Sequence, residues 1–243
     1  MIIDAHAHVG HGRYKSLSAS ELLREMDVDA VDRAVICPVE EQIILHNRAG
    51  NDETLALVRR HRDRFVGFAV ANPWYGVAAV EELRRALGEG LCGLKLHPVR
   101  QGFSACDPLV HPLVEVAAAH RVPVYAHTGS PHYYGEPFQL AELARCYPGV
   151  TFIVGHAGAS DYWGDLPRCH QFAPNLLFET SRNGPGNFAY MLQTVGADRM
   201  VFGSNLPESP YALELAAIRD VVGEACDLER ILWQNIAHAL GQR

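Results

Sequence analysis

His6 and His8 are the first residues along the chain whose types and spacing could do chemistry. They are separated by one residue, so both side chains project from the same side of an extended strand. Two imidazoles on one side of a strand can supply two nitrogen ligands to one metal ion. Because the chain contains 13 histidines, the pair alone does not decide between a metal site and a chance spacing.

Three further histidines follow short apolar runs. His97 closes the run Gly-Leu-Lys-Leu-His, His127 closes Val-Tyr-Ala-His, and His156 closes Ile-Val-Gly-His. Each one alone could be a hydrogen-bonded loop residue. We expect these three and His8 to occupy the last positions of four strands, which a closed parallel sheet makes neighbours in space. Neutral imidazoles on a rigid frame with an open coordination position favour a catalytic Zn²⁺ or another first-row metal.

Lys95 lies two residues before His97 in a run that is otherwise apolar. This spacing places the two side chains on one face of a strand. We expect Lys95 to face the interior of the fold, as a cation for the substrate or for a partner carboxylate. The alternative is a buried salt bridge with a purely structural role.

Eight short runs rich in Val, Ile, Leu and Phe recur at fairly even intervals along the chain. Such runs are typical of strands that are buried on both faces of a parallel sheet. They cover residues 2–7, 33–38, 65–71, 92–97, 122–127, 150–156, 176–180 and 200–204. Stretches between them have apolar residues at three- and four-residue steps and predict helices, including 20–26, 53–61, 78–87, 109–120 and 210–222.

Several of these helices have sequence signals for their ends. The signals are Ser18 or Ser20 before the first helix, Asn51 or Asp52 before the second, and Asp227 before a closing helix 228–240 that stops at Gly241.

Strand and helix alternate eight times without a long polar linker. This pattern predicts a parallel sheet closed into a barrel, because closure removes the two exposed edges. An open doubly wound sheet is the alternative, but it would more often have fewer strands and a glycine-rich phosphate loop after the first. We therefore expect an α/β protein, a single (β/α)8 TIM barrel whose one domain spans residues 1–243.

Composition argues against several classes of partner. The net charge is −7, and the basic residues are mixed with acidic ones, so we expect no nucleic acid and no membrane partner. The absence of a long apolar run and of a signal-peptide pattern favours a cytoplasmic protein with a small-molecule substrate. The six cysteines form no C-x-x-C pair, which argues against a disulfide framework or a cysteine-rich zinc site.

Taken together, these segments resemble the amidohydrolase superfamily, in particular the amidohydrolase 2 branch with its aminocarboxymuconate-semialdehyde decarboxylase-like enzymes. The matching segments are Ile-Asp-Ala-His-Ala-His at 3–8, Gly-Leu-Lys-Leu-His-Pro at 93–98, the histidine at 127, Gly-His-Ala-Gly at 155–158, Phe-Gly-Ser-Asn-Leu-Pro at 202–207 and the terminal segment 231–241. The resemblance implies one divalent metal, commonly zinc, in a site made of His6, His8, His127 and His156. The first three would bind the ion, and His156 would contact its bound water or the substrate.

Asn205 departs from the pattern that the resemblance implies. The family places an Asp there that ligates the metal and carries a proton, whereas an amide is a weaker ligand and cannot act as a base near neutral pH. Three interpretations follow. The Asn is native to a branch in which His156 or His97 moves the proton, the fold serves binding only, or the chain is an inactivated variant.

The leading hypothesis is a metal-dependent hydrolase or decarboxylase that acts on a small carboxylated or carbonyl compound. Its catalytic residues would be His156, Asn205 and His97. The rival hypothesis, based on Asn205, is a non-catalytic barrel that binds a small ligand or a metal.

Three cations are candidates for binding a carboxylated substrate: Lys95, Arg100 and Arg182. A guanidinium can hold a carboxylate with two hydrogen bonds, although both arginines could equally be solvated loop charges. Four predicted loops, 11–17, 40–50, 129–137 and 181–186, would shape specificity. Tyr133 and Tyr134 in the third suit a lid, and such aromatic residues suit a homo-oligomer interface equally well.

Overall fold

Strands and helices alternate along residues 1–129, 133–159 and 161–242, which the computed structural model describes. The strands are β1 (Ile3–His11), β2 (Ser16–Leu17), β3 (Arg33–Pro38), β4 (Phe65–Gly67), β5 (Ala69–Val70), β6 (Leu94–Leu96), β7 (Val124–His127), β8 (Phe152–Gly155), β9 (Leu176–Glu179) and β10 (Met200–Val201). Each of the eight predicted runs overlaps an observed strand, and β1 extends beyond its run to His11.

Helices follow the strands in regular order. The α-helices are α1 (Ala19–Val28), α2 (Glu40–Ile44), α3 (Asn47–Arg60), α4 (Val77–Gly88), α5 (Pro98–Gln101), α6 (His111–His120), α7 (Pro137–Cys146), α8 (Leu166–Phe172), α9 (Pro185–Thr194), α10 (Tyr211–Val221), α11 (Ala225–Glu229) and α12 (Asn235–Ala239). None of the helices in the described ranges is both long enough and apolar enough to cross a membrane.

The strands form two connected sheets, with the orders β2-β1-β3-β4 and β10-β9-β8-β7-β6-β5, and all neighbours except β2 and β1 are parallel. The segment that holds β4 and β5 joins them, because it pairs with a different neighbour on each side. Phe68 N donates to Ile36 O at 2.9 Å on one side, and Ala69 N donates to Gly93 O at 2.8 Å on the other.

Backbone hydrogen bonds close the ring between β1 and the segment after β10. Ala5 N donates to Phe202 O at 2.8 Å. Asn205 N donates to His6 O at the same distance of 2.8 Å. The first and last strands are therefore neighbours, and the predicted TIM-barrel fold is confirmed.

The apolar core has two layers. A larger cluster fills the space between the strands and the surrounding helices. The smaller cluster lies inside the ring and consists of Ile3, Ala5, Val35, Val66, Phe68, Tyr125, Ile153, Leu177, Val201, Ile236 and Ala237. Since two of these side chains come from α12 and pack near the starts of the strands, the carboxy-terminal helix covers the end of the barrel opposite the loops that follow the strands.

The predicted ends of two helices are confirmed. Ser18 caps α1 with a capping box, in which its hydroxyl accepts from Glu21 N at 3.2 Å and its own N donates to Glu21 Oε2 at 2.8 Å. The terminal helix stops before Gly241, whose φ of 69° is the left-handed conformation common after a helix. Its predicted start was wrong, because α11 begins at Ala225 after Glu224 rather than after Asp227.

The predicted loop 40–50 is largely helical, which corrects the sequence prediction. It contains α2, and α3 begins at Asn47 rather than after Asn51 or Asp52. The buried face of α3 includes Asn47, Asn51 and Thr54. These polar side chains form hydrogen bonds to buried backbone groups. The first half of α3 therefore lacks the apolar periodicity that predicts a helix. The predicted loop 11–17 also changes, because β1 and β2 form an antiparallel hairpin there.

Asn51 completes the hydrogen bonding of the short strand β5. It is fully buried, and its Oδ1 accepts from Val70 N at 2.8 Å while its Nδ2 donates to Val70 O at 3.1 Å. The Nδ2 group also donates to Glu82 Oε1 at 2.9 Å. A side chain of α3 therefore supplies partners that a neighbouring strand would otherwise give.

We expect Asn51→Ala to lower the free energy of unfolding by about 3 kcal/mol, because it leaves buried backbone groups of Val70 without partners. Urea unfolding followed by circular dichroism measures the change. The variant Asp52→Ala at the neighbouring exposed residue, which removes surface ion pairs to Arg48 and Arg85, serves as control and should cost less than about 1 kcal/mol. Equal losses in the two variants would contradict this role of Asn51.

Candidate functional site

An irregularity in β1 turns His6 into the barrel. The register of β1 against β3 shifts between Asp4 and Ala7, which is the signature of a bulge. Ala5 packs in the inner cluster and Ala7 in the outer one, while His6 and His8 lie together with ring centroids 4.6 Å apart. A bulge re-aims side chains in this way, and both imidazoles are almost fully buried. Contrary to the prediction, His8 does not end its strand, because β1 continues to His11.

The orientation of His8 is set by β3. Its Nδ1 lies 2.9 Å from Pro38 O, and since a carbonyl only accepts, Nδ1 carries the proton and Nε2 keeps its lone pair. Cys37 is the neighbour that sequence reasoning missed, with its Sγ 3.4 Å from His8 Nδ1. The ligand atoms of His6, His8 and Cys37 lie within 4.8 Å of one another. Burial raises the pKa of the Cys37 thiol to about 11.

The signal for Cys37 was its position in the sequence. It is the last residue but one of the predicted run 33–38, at the same kind of strand end that singled out the histidines. A lone cysteine among histidines matches neither a disulfide framework nor a cysteine-rich zinc site, so these two sequence patterns do not indicate it.

Lys95 lies inside the barrel, where the sequence placed it. Its Nζ is 3.2 Å from His6 Nε2 and 3.8 Å from the centre of the Tyr125 ring. No carboxylate of the described residues lies within 4.0 Å of it, so the alternative of a buried salt bridge does not hold there. Burial lowers the pKa of Lys95 to about 7, so that the amine can be neutral near physiological pH.

The five predicted histidines form a continuous row. The ring of His6 lies 5.8 Å from that of His156, whose Nε2 is 3.0 Å from His127 Nδ1. His127 stacks on His97 at 3.9 Å with an interplanar angle of 17°. His8 adjoins His6 at the other end of the row. His127 ends β7, whereas His97 and His156 each follow their strand by one residue.

All five imidazoles are held neutral. Burial is the largest cause, and it lowers the pKa of each ring well below the usual value for histidine. Nearby Lys95 and the neighbouring rings lower these pKa values further, because each protonated group disfavours another. Neutral rings keep the lone pairs that a metal ligand needs.

Glu179 organises His156 from beneath and was not singled out in the sequence. Its Oε2 accepts from Tyr125 Oη at 2.7 Å, from His156 N at 2.9 Å and from Ser181 Oγ at 3.1 Å. The same Ser181 hydroxyl lies 2.7 Å from His156 Nδ1. Gly203 makes room for this carboxylate, because a Cβ there would lie 2.2 Å from Glu179 Oε1. The sequence signal that could have identified Glu179 is a charged residue directly after the apolar residues Leu-Leu-Phe.

Asp4 joins β1 to the segment that follows β10 through hydrogen bonds. It is fully buried and accepts from Ser204 N at 2.9 Å, Ser204 Oγ at 2.7 Å and Tyr211 Oη at 2.9 Å, besides His6 N at 2.9 Å. Burial raises the pKa of Asp4 to about 7 even though these hydrogen bonds favour the carboxylate. The carboxyl group fixes the segment that precedes Asn205 against the strand that carries His6 and His8.

A cavity of about 800 Å³ opens above the histidine row. Its lining consists of His8, Lys15, His97, Val99, Arg100, His127, Tyr133, Tyr134, Arg182, Asn205 and Glu208. The volume suits a small organic molecule. Another cavity of about 670 Å³ lies on the flank between α3 and α4, away from the histidine row, so we place the candidate site in the first.

Five charged side chains, from segments that follow five different strands, alternate in sign in and next to this cavity. Glu40 Oε1 lies 4.0 Å from Arg100 Nη2 and 4.0 Å from Lys15 Nζ. Lys15 in turn bonds Glu208 Oε1 at 2.6 Å, and Arg182 Nη1 lies 3.6 Å from Glu208 Oε2. Lys15 was not predicted, because it lies in the hairpin loop after β1 and not at a strand end. The row has one more cation than carboxylate, which favours an anionic ligand.

The predicted loop 129–137 falls partly on residues 130–132, which lie outside the described residues. Of the part described, Tyr133 and Tyr134 line the cavity, and Tyr133 is 85% exposed. Their role as a lid stays a prediction.

The amidohydrolase family model matches residues 3–242. This chain belongs to the amidohydrolase 2 family. None of the curated proteins compared matches its sequence.

Solved structures with the same fold include several decarboxylases. The 5-carboxyvanillate decarboxylase of Sphingomonas paucimobilis has 17% identity and a TM-score of 0.80, with 100% of this chain and 99% of that chain covered. A 2,6-dihydroxybenzoate decarboxylase, solved with 2,6-dihydroxybenzoate, has 18% identity and a TM-score of 0.80, with 99% and 98% covered. The dihydroxybenzoic acid decarboxylase of Polaromonas sp. JS666, solved with manganese and 2-nitroresorcinol, has 16% identity and a TM-score of 0.78, with 99% and 96% covered. At these identities the similarity shows the fold.

The residues of this site fit a divalent first-row metal. The donors offered by His6, His8 and Cys37 are nitrogen and sulfur atoms that converge within 4.8 Å, and such ions accept both donor types. The imidazoles are neutral. The carbonyl oxygen of Pro38 orients the ring of His8 through Nδ1, which leaves Nε2 for an ion. A metal-bound histidine usually has such a hydrogen bond at its other ring nitrogen. His127 lies further along the histidine row, on the far side of His156.

We expect Glu179→Gln to lower the melting temperature of the protein by about 4 °C or more, because an amide nitrogen cannot accept the hydrogen bonds that the carboxylate accepts. Differential scanning calorimetry measures the shift. The control is Glu53→Gln, an exposed carboxyl on α3 with the same change of charge, which should stay within about 1 °C. A Glu179→Gln protein as stable as the control would show that Glu179 does not organise this site.

Proposed function

We propose that this protein is a metal-dependent carbon–carbon lyase that removes the carboxyl group of a small carboxylated compound, with residues 1–243 acting as one catalytic domain. The observation that carries the proposal is the cavity in which neutral imidazoles meet an excess of cations. His8, His97 and His127 line it together with Lys15 and Arg182. The decarboxylase activity of the structurally similar proteins supports the choice of reaction.

We propose His6, His8 and His127 as metal ligands, with His156 beside them, and zinc as the ion. Manganese, which the Polaromonas enzyme contains, is the alternative. When bound, such an ion polarises a carboxylate or phenolate oxygen, or lowers the pKa of a bound water.

The cations of the charged row would bind the substrate carboxylate. Arg100 and Arg182 offer planar guanidinium groups that can each donate two hydrogen bonds to one carboxylate. Their side chains are 35% and 50% exposed, so both can turn towards a ligand. Lys95 lies below the cavity against His6 and would stabilise negative charge that develops there when it is protonated.

Decarboxylation breaks the bond between the substrate carbon and its carboxyl group, releases CO₂ and delivers a proton to that carbon. His156 is the proposed proton carrier, because Ser181 and Glu179 hold one side of its ring while the other side meets His127. His97 is a second candidate in the stacked pair. Asn205 cannot carry a proton, so we assign it an orienting role.

We expect His6→Ala and His127→Ala each to weaken metal binding by at least about tenfold, because each removes a nitrogen ligand of the same ion. Elemental analysis and calorimetric titration of the metal-free protein with Zn²⁺ and Mn²⁺ measure occupancy and affinity. His120→Ala, at the exposed end of α6, is the control. Unchanged affinity in the His6 and His127 variants would reject this metal site.

We expect the metal-loaded protein to release CO₂ from at least one carboxylated hydroxybenzoate, with 2,6-dihydroxybenzoate and 5-carboxyvanillate as the first compounds. Arg182→Met should raise KM about tenfold through loss of a carboxylate contact, whereas the exposed Arg84→Met should leave it unchanged. Mass spectrometry of the products distinguishes loss of CO₂ from addition of water, which would indicate a hydrolase. Ligand binding without any product would favour the alternative of a non-catalytic binding barrel.

A further inference from the structure

Asn205 and Glu208 hold each other at the end of the last strand. The Asn205 Nδ2 group donates to Glu208 Oε2 at 3.0 Å, and Glu208 N donates to Asn205 O at 2.9 Å. A carboxylate only accepts hydrogen bonds. The amide nitrogen of Asn205 must therefore face Glu208, and its amide oxygen is turned away from that carboxylate.

The backbone at Asn205 is consistent with a fixed position for this side chain. The residue is 2% exposed, and its φ of 59° lies in the left-handed region. Asparagine tolerates that conformation better than most residues. Both the amide and its backbone are therefore held in one arrangement at the cavity.

Glu208 is the negatively charged residue in one corner of the cavity, which it forms together with Lys15, Arg182 and Asn205. Lys15 Nζ donates to its Oε1 at 2.6 Å, and Arg182 Nη1 lies 3.6 Å from its Oε2. Partial burial would raise the pKa of Glu208, but the bonds from Lys15 and Asn205 and the charge of Arg182 hold it below the usual value. Glu208 is thus ionised at neutral pH. Among the described residues that line the cavity, it is the one acidic side chain.

An aspartate at position 205 would not fit beside this carboxylate. The group that now donates at 3.0 Å would become a second acceptor at the same distance from Glu208 Oε2. Two carboxylates so close repel each other, and neither can donate while both are ionised. The nearby charges of Lys15 and Arg182 already have Glu208 as partner.

We infer that Asn205 and Glu208 form one unit, in which Glu208 supplies the carboxylate of this corner and fixes the amide of Asn205, so that position 205 accepts an aspartate only when position 208 is neutral. Glu208 is then a positioning residue of the proposed site, and its catalytic meaning rests on the proposed function. The amide at 205 belongs to a matched pair of native residues, which favours the first of the three interpretations of Asn205 over an inactivating change.

The test is a double-mutant cycle on the full chain with Asn205→Asp, Glu208→Gln and the combination of both. At pH 8 and without added metal, we expect Asn205→Asp to lower the melting temperature by about 4 °C or more and Glu208→Gln by about 2 to 4 °C. The combination should return to within about 2 °C of the wild type, because the amide introduced at position 208 can donate to the carboxylate introduced at position 205. Glu208→Gln thus destabilises the native protein but stabilises the Asn205→Asp variant.

This change of sign separates the inference from a general structural role. A merely structural Glu208 would give losses that add, and so would the exposed control Glu224→Gln when it is combined with Asn205→Asp. Additive losses, or a combined variant no more stable than Asn205→Asp, would overturn the inference. If Asn205→Asp does not fold, the combined variant decides alone, since it must then fold with a melting temperature near that of the wild type.

The readout is thermal and needs neither a bound metal nor a known substrate. Failure of the proposed reaction therefore leaves this result unaffected. Conversely, additive losses would remove Glu208 as a positioning residue while the metal and CO₂ measurements stand.

Discussion

The site depends on keeping a buried polar cluster without net charge. Four imidazoles and the amine of Lys95 are buried among the strand ends, and His127 beside them is partly exposed. Placing several charged groups there would cost more free energy than the net stability of one domain. Burial instead lowers the pKa of each ring, and hydrogen bonds between the rings satisfy part of their polar atoms. The same neutrality leaves lone pairs free for a cation.

Two buried carboxyl groups give this cluster its shape. Glu179 stands under His156 and Tyr125, and Asp4 joins β1 to Ser204 and Tyr211. Neither group lines the cavity. Both carboxyl groups accept hydrogen bonds from backbone N–H groups and hydroxyls of the segments that carry the histidines. The positions of the histidines therefore depend on buried polar groups that lie beneath the cavity.

The strand positions and the barrel could be predicted from the sequence, because parallel strands buried on both faces are continuous apolar runs. The same rule located the strand ends to within a few residues, and it predicted that His8, His97, His127 and His156 are neighbours, although only His127 is the last residue of its strand. The bulge that turns His6 inwards could not be predicted, since it depends on the register against β3. Nor could the helix start at Asn47, because its buried face is polar.

Partners remote in sequence were the other gap in the prediction. Lys15 and Glu208 are 193 positions apart, and only closure of the barrel brings them together. Glu179 and Cys37 lie inside predicted strands, but single residues within an apolar run carry no indication of which side chain they will meet.

Closure also has a consequence for the newly made protein. β1 carries two of the histidines, yet along residues 5–8 its edge away from β3 is paired by residues 202–206, which are made much later. Until those residues leave the ribosome, this edge is free to pair with other chains, which is a known route to aggregation. During synthesis the cavity thus cannot be complete before residue 208 has been made, and the nascent protein has a period of vulnerability that the closed barrel does not share.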